Sequence, residues 1–313
     1  MQKNMNKLKL YVYPNAREHV QDNMEKWCAN TVPFSKKGIE EHCEIVSVDE
    51  AEYFYMGQVS CGLPLPDKNE FEHFEGNEEK HIIDFEGDWL RKSIPDWLRK
   101  SLISVTGVKK GYAGINIFPR IPLSNLLLDI VRNDKKIKHT FEPNKRFGFK
   151  GFPDPRGIRL KTAQAVQLSG VEKDIKFNDA WQAKASTSSE IVWGYCKTIL
   201  RNTFGLCPSG TGVDSIRFFE VCYFSRIPVV VSDSFTMGHE INKTEPFYFQ
   251  ISPSISIEEI SEEIKKIAAT PLKELQEMSH NAKKFFEYNI RGFFEDPTLR
   301  FIEWLGEEKK YFD

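Results

Sequence analysis

What the sequence lacks narrows the field first. Its six cysteines (Cys28, Cys43, Cys61, Cys196, Cys207 and Cys222) form no C-x-x-C pair in 313 residues. A chain of that length needs no covalent staples. Zinc and disulfide frameworks are therefore disfavoured, and reduced thiols in a cytosol-like compartment are expected. No run approaches the ~18 consecutive apolar residues of a membrane span. The opening MQKNMNKLKLYVYP has no apolar h-region and no small-residue cleavage site, so no signal peptide is expected. Neither charge dominates: 43 basic against 45 acidic residues leave a net charge of −2. A nucleic-acid partner would want a basic excess or a strong patch. The first β-rich run is followed by PNAREHV, without a glycine. That disfavours a dinucleotide enzyme, which would carry G-x-G-x-x-G at this point.

What is there is material for a core. Hydrophobic residues make up 40% of the chain and aromatics 13%, with 24 Phe, a composition that excludes disorder. The length suggests about two domains. In the first half, Leu8–Tyr13, Cys43–Val48, Glu52–Met56 and His81–Phe85 read as strands, Arg17–Ala29 as a helix and 62–80 as a polar surface loop. In the second half, Arg146–Gly151, Phe204–Cys207, Ile227–Ser232 and Phe247–Ile251 read as strands. Glu190–Asn202, Val213–Ser225, Ile257–Ala269 and Leu272–Tyr288 read as helices, and Asp179–Ala185 as a loop or short helix. Such alternation predicts βαβ units and parallel sheets. The basic, polar stretch at 132–148 reads as a linker between two α/β halves, and a cleft between lobes is the default ligand site. DWLRKS occurs at 88–93 and again at 96–101. One echo is not a solenoid; it reads as two neighbouring turns with Trp89 and Trp97 packed alike.

The segment 204–233, FGLCPSGTGVDSIRFFEVCYFSRIPVVVSD, carries the chemistry. A strand ends at Cys207, a small-residue turn runs through Pro208, Ser209, Gly210, Thr211 and Gly212, and a helix begins near Val213. Small residues let a ligand approach the backbone, and free N–H groups at a helix start favour an anion. A phosphate or diphosphate suits this position; so does an ordinary strand-turn-helix connection. Glu220 sits among Phe218, Phe219, Val221, Cys222 and Tyr223, where an acid is costly to bury without a partner. Two readings are open. Arg217, three residues back on the same helix face, pairs with it, or a ligand with hydroxyl donors such as a ribose does. Ser232, Asp233 and Ser234 follow the apolar strand, at the end where ligands bind in open α/β sheets; His239 and Glu240 lie beyond.

This segment resembles the exostosin family of glycosyltransferases (family 47), whose hallmark is approximately F-C-L-x-P-x-G, then S-x-R-x-x-E, then I-P-V-x-x-S-[DN]. The matching residues are Phe204, Leu206, Pro208, Gly210, Ser215, Arg217, Glu220, Ile227, Pro228, Val229, Ser232 and Asp233. Upstream, RFGFKGFPDPRGIR at 146–159 is similar to the family's R-x-x-x-x-F-x-G … R-x-x-[IL]-R segment, and Glu190–Asn202 to the helix before the hallmark strand. LKLYVYP, VDEAEYFYM and HIIDFEGDW are weaker echoes in the first half.

The resemblance implies a GT-B fold of two Rossmann-like lobes with a cleft between them. It implies an acceptor lobe over 1–140, a nucleotide-sugar lobe over 141–290, and a last segment, 291–313, packing back on the first lobe. It implies an inverting transfer from a nucleotide sugar, UDP being favoured over GDP, to a hydroxyl of a carbohydrate acceptor. No cofactor and no obligatory metal are implied. The sequence agrees on its own account in holding no D-x-D triplet, the usual carboxylate pair for a donor-bound divalent cation. A metal-free transferase neutralises the leaving diphosphate with helix N-termini and Arg or Lys clamps. The candidates are the turn at 209–212 with Arg156, Arg159 and Lys150, the two arginines being expected at a strand end. By resemblance Glu220 becomes the ribose ligand, and Arg217 its orienter or a phosphate contact. A general base must come within hydrogen-bond reach of the acceptor hydroxyl; Asp88 is the first candidate and Glu86 the second, with a solvated acidic loop as the plainer reading. The family's animal and plant members usually carry an N-terminal membrane anchor and a lumenal, disulfide-permissive domain. Neither feature is present here, which suggests a cytoplasmic enzyme of bacterial or viral type. The alternative is a transferase-like glycan- or nucleotide-binding module without catalysis. The oligomeric state is open.

Overall fold

The structure is a computed structural model that describes residues 7–16, 34–59, 66–85, 94–106, 117–120, 140–154, 156–178, 189–210, 215–233, 235 and 246–306. The chain divides into two compact units: 1–122 with 292–313, and 123–291.

The first unit is built on six parallel strands: β1 (Leu8–Val12), β2 (Cys43–Ile45), β3 (Tyr53–Val59), β4 (His81–Phe85), β5 (Leu102–Thr106) and β6 (Ile117–Arg120), in the order β2-β1-β3-β4-β5-β6. β4 is buried along its whole length, as a strand inside a parallel sheet covered on both faces must be. Between Tyr55 and Gln58 the register of β3 against β4 shifts; Gly57, at φ +96°, supplies the left-handed residue this irregularity needs. Helix α1 (Lys36–His42) starts at Ser35, whose hydroxyl accepts from the Gly38 amide at 3.1 Å. A β-carbon on Gly38 would lie 1.8 Å from Thr298 Oγ1, so only glycine lets the C-terminal helix, Pro297–Gly306, approach α1 this closely. Phe301 of that helix meets Phe34 at 5.0 Å and Phe118 at 4.9 Å between ring centroids.

The second unit has five parallel strands: β7 (Phe147–Gly151), β8 (Lys173–Phe177), β9 (Phe204–Pro208), β10 (Ile227–Val231) and β11 (Phe249–Ile251), in the order β11-β10-β9-β7-β8. Its helices are α2 (Ile158–Ser169), α3 (Ser189–Leu200), α4 (Ile216–Tyr223), α5 (Ile257–Ala269) and α6 (Leu272–Phe285), the last running into a π-helical turn at Phe286–Ile290. Phe147, Phe204, Leu206, Val229 and Val231 form the sheet's part of the core, and Ala165, Ile260, Ile264 and Leu275 the helices' part. Counted within its unit, each sheet runs 2-1-3-4-5, with β6 added at the edge of the first. That is the order of an open doubly wound sheet. Among the described residues no helix is long and apolar enough to cross a membrane.

Several elements differ from expectation. Strands β5, β6 and β8 and helices α1 and α2 were not expected. β8 (KDIKF) is a half-exposed edge strand with alternating charge, so it lacks an apolar run. The 62–80 segment is not simply a surface loop. Within it, Phe71 and Phe74 are buried between two 3₁₀ turns, and Phe74 meets Trp97, of the second DWLRKS copy, at 5.1 Å. The expected linker ends inside β7, at Phe147 and Gly148. Arg17–Ala29, Asp179–Ala185 and the first DWLRKS copy lie outside the described residues.

Candidate functional site

The second sheet opens at one place. β8 pairs with β7 through five residues, and β10 with β9 through five. β7 pairs with β9 only at Phe147↔Phe204 and Gly148↔Gly205. The two central strands therefore part toward their C-terminal ends. This is also where the strand order reverses, the position at which doubly wound sheets bind ligands.

Cationic side chains fill the opening, each fitted against a glycine. A β-carbon on Gly210 would lie 2.4 Å from Arg159 Nη2, one on Gly194 2.9 Å from Lys150 Nζ, and one on Gly151 3.0 Å from Arg217 Nη2. Gly151 closes β7, Gly210 follows β9, and Gly194 lies on α3. Any side chain at these three positions would displace a positive charge.

Arg159 belongs to the first turn of α2, not to a strand end. Asp154, buried before the helix, accepts from the Arg156 amide at 3.0 Å and the Arg159 amide at 2.7 Å. The helix start is thus capped by a carboxylate, and any anion bound here must be held by side chains. Arg159 Nη1 donates to the Phe152 carbonyl at 2.7 Å. Its Nε is buried and has no hydrogen-bond partner among the described residues. Burial first, and Arg217 second, hold its pKa below the usual arginine value, against the pull of Asp154. Nε and Nη2 lie on one edge of the Arg159 guanidinium, the edge that takes a bidentate oxyanion.

Arg217 reaches from α4 between two rings, 4.3 Å from the Phe149 centroid and 5.4 Å from that of Tyr195. Its Nη2 donates to the Lys150 carbonyl. Its Nε donates to the Tyr195 hydroxyl at 3.2 Å, and that hydroxyl donates to Glu220 Oε2. Arg217 and Glu220 are thus joined through a third residue from α3. Burial most of all, and the Glu220 charge, push the Tyr195 phenol well above its ordinary pKa, with Arg217 opposing. For Arg217, burial alone would lower the pKa, but Tyr195, Cys207 and Glu220 outweigh it and the net shift is upward. Glu220 is only 3% exposed.

The other expected site residues fall as follows. Ser209 and Gly210 are buried directly after β9, and the Ser209 amide donates to the Val231 carbonyl at 3.1 Å. Ser215 is buried at the start of α4, which begins at Ile216 rather than near Val213; Ser215 is still extended, with φ −99° and ψ 113°. Arg156 is exposed. Asp233 follows β10, which pairs with β9 on the side away from β7. Its carboxylate accepts from Ser254 Oγ at 2.5 Å. Thr211, Glu86 and Asp88 lie outside the described residues, as do Ser234, His239 and Glu240. Sequence reasoning missed Tyr195. The available signal was a Gly-Tyr pair in the helix leading to β9.

Among the described residues, Glu41, His42 and Asp296 form a group compact enough for a metal, their ligand atoms lying within 4.8 Å of one another. The group belongs to the first unit. His42 Nε2 is 2.6 Å from Asp296 Oδ2, and Asp296 Oδ1 caps the C-terminal helix by accepting from the Leu299 amide at 2.9 Å. These contacts explain the cluster as a structural tie between α1 and that helix.

No family model matches the chain, and no curated protein matches it. Among solved structures, the crystal structure of TarM is similar at a TM-score of 0.34 and 12% identity, over 75% of this chain and 56% of TarM. A likeness that distant leaves the functional reading to the residues themselves. What fold and site define together is a doubly wound α/β protein with Arg159, Lys150 and Arg217 packed against glycines beside a sheet's switch point.

Proposed function

We propose that the chain is a glycosyltransferase of the GT-B kind, in which the second unit binds a nucleotide-sugar donor and the first unit the carbohydrate acceptor. The observation that carries the reading is the placing of Arg159 against Gly210 after β9 and of Arg217 against Gly151 at the end of β7, with the buried Glu220 held to Arg217 through Tyr195. A nucleoside diphosphate answers both halves of that arrangement. Its phosphates take the arginine N–H groups, and its ribose hydroxyls reach the carboxylate. The exostosin resemblance, carried by Pro208, Gly210, Arg217, Glu220 and Asp233, leads to the same residues and favours UDP.

The reaction is a direct displacement. An acceptor hydroxyl oxygen attacks the anomeric carbon as the bond from that carbon to the diphosphate oxygen breaks, inverting the centre. Charge develops on the leaving diphosphate, where fixed cations in a site shielded from water stabilise it most. Arg159 and Arg217 supply those cations, so no divalent metal is required. The hydroxyl proton passes to a carboxylate, Asp88 first and Glu86 second.

Thermal stabilisation across a panel of nucleotides and nucleotide sugars tests the donor assignment. A ligand at 100 times its dissociation constant adds about 2.7 kcal/mol. UDP and a UDP-sugar are expected to stabilise the protein, and Glu220→Ala to abolish the effect. Equal stabilisation of the wild type and this variant would refute the assignment. Turnover on a panel of acceptors, unchanged by EDTA, distinguishes a metal-independent transferase from a binding module.

A further inference from the structure

Arg217 and Glu220 stand three residues apart on α4. Both carry long, rotatable side chains. The fixed point comes from α3, where one hydroxyl, that of Tyr195, accepts from Arg217 Nε and donates to Glu220 Oε2. The same guanidinium lies between the Phe149 and Tyr195 rings, with Nη2 tied to the Lys150 carbonyl. With Nε and Nη2 engaged, Nη1 is the nitrogen of Arg217 left for an oxyanion among the described residues. Gly194, directly before Tyr195, leaves room for Lys150 Nζ, so the α3 segment shapes the cationic face at two successive positions.

Resting on the nucleotide reading above, we propose that Tyr195 is a positioning residue that sets Arg217 for the phosphates and Glu220 for the ribose of one bound nucleotide. A phenol suits the task. It is rigid, it donates and accepts at one oxygen, and its burial keeps it protonated. Phenylalanine would keep the packing and lose only the bridge.

The experiment measures UDP affinity in the full chain for the wild type, Tyr195→Phe, Glu220→Gln and the double variant. Tyr195→Phe is expected to weaken UDP roughly tenfold or more, the worth of a charge-assisted hydrogen bond. Its melting temperature without nucleotide should stay near that of the wild type. In the double variant the loss should be smaller than the product of the two single losses, because the tyrosine acts in part through the carboxylate and in part through Arg217; fully multiplicative losses would overturn the coupling through Glu220. If Tyr195→Phe binds UDP like the wild type while Glu220→Gln does not, the tyrosine has no positioning role and the nucleotide reading stands. If the wild type and Glu220→Gln bind UDP alike, both the reading and the positioning role fall. Should the phenylalanine variant not fold, 3,5-difluorotyrosine at 195 keeps ring and hydroxyl but ionises at lower pH. Its UDP affinity should then fall with rising pH where that of the wild type is flat; a flat profile would overturn the role.

Discussion

Gly210 and Arg159 fit together as surface and plug: a β-carbon on the glycine would lie 2.4 Å from Nη2 of the arginine. The atom in the way is the far end of a flexible side chain, so Gly210→Ala costs the fold little. It does move the guanidinium off its place. Gly210→Ala should therefore melt near the wild-type temperature yet bind UDP roughly tenfold more weakly, the scale of one charged hydrogen bond lost. Calorimetric titration beside a thermal melt checks both halves. Unaltered UDP binding would mean that Arg159 does not touch the nucleotide.

Arg226 does the opposite kind of work. It is only 5% exposed and gives its N–H groups to main-chain carbonyls. Nη1 donates to Phe224 and Ser225 at 2.9 and 3.2 Å, Nη2 to Thr140 and Leu200 at 3.1 and 2.8 Å, and Nε to Leu200 at 3.2 Å. Burial pulls its pKa down to about 10. Arg226→Met strands several buried carbonyls at once, each costing about 1–3 kcal/mol if left unmet. A loss of at least about 2 kcal/mol is expected in urea unfolding. Arg226→Lys should recover only part of it, since an ammonium offers three donors where the guanidinium offers five.

These two arginines show how far the sequence could be read. Strands β4, β9 and β10 were legible because each is a short apolar run bounded by turn residues. Helix α2 was not. Its buried residues are only Thr162, Ala165 and Val166, and Leu160 and Leu168 face solvent. Arg159 could be named from a motif, but its place in a helical turn could not. β8 was hidden by its alternating charge. Without it the strand order, and so the switch point between β7 and β9, could not be derived. Arg217 and Glu220 stood out as charges in an apolar stretch. The tyrosine that joins them sits 22 residues before Arg217, and only tertiary structure brings it there.

His81 makes stability depend on pH. Its ring is fully buried, stacked on Phe54 at 4.8 Å. Nδ1 donates to the Asn77 carbonyl at 2.8 Å, and Nε2 accepts from the Tyr13 hydroxyl at 2.9 Å. Burial foremost lowers its pKa from 6.5 to about 4, with the Asn77 carbonyl and Glu78 opposing. The folded state thus holds the neutral ring, while the unfolded chain takes up a proton below about pH 6.5. Stability is therefore full above that value and is lost as pH falls toward 4. Between pH 7 and pH 5 the histidine accounts for a loss of about 2 kcal/mol. Urea unfolding at the two pH values should show the wild type losing more than His81→Gln, which keeps an acceptor for Tyr13 but does not titrate. Equal losses would place the pH dependence elsewhere.

The proton of the acceptor hydroxyl needs a destination, and it should be separable from donor binding. A positioned general base contributes about 10²–10⁴ in rate. Asp88→Asn should therefore cut turnover by at least about a hundredfold while leaving UDP affinity untouched, since the proposed donor site is Arg159, Arg217 and Glu220. Glu86→Gln, the second candidate, should cost less. A carboxylate base also ties the rate to pH: turnover should fall on the acid side as the base is protonated. In Asp88→Asn that limb should vanish from what activity remains. If both variants turn over near the wild-type rate, neither carboxylate is the base. If UDP affinity falls in step with turnover, the residue belongs to the donor site instead.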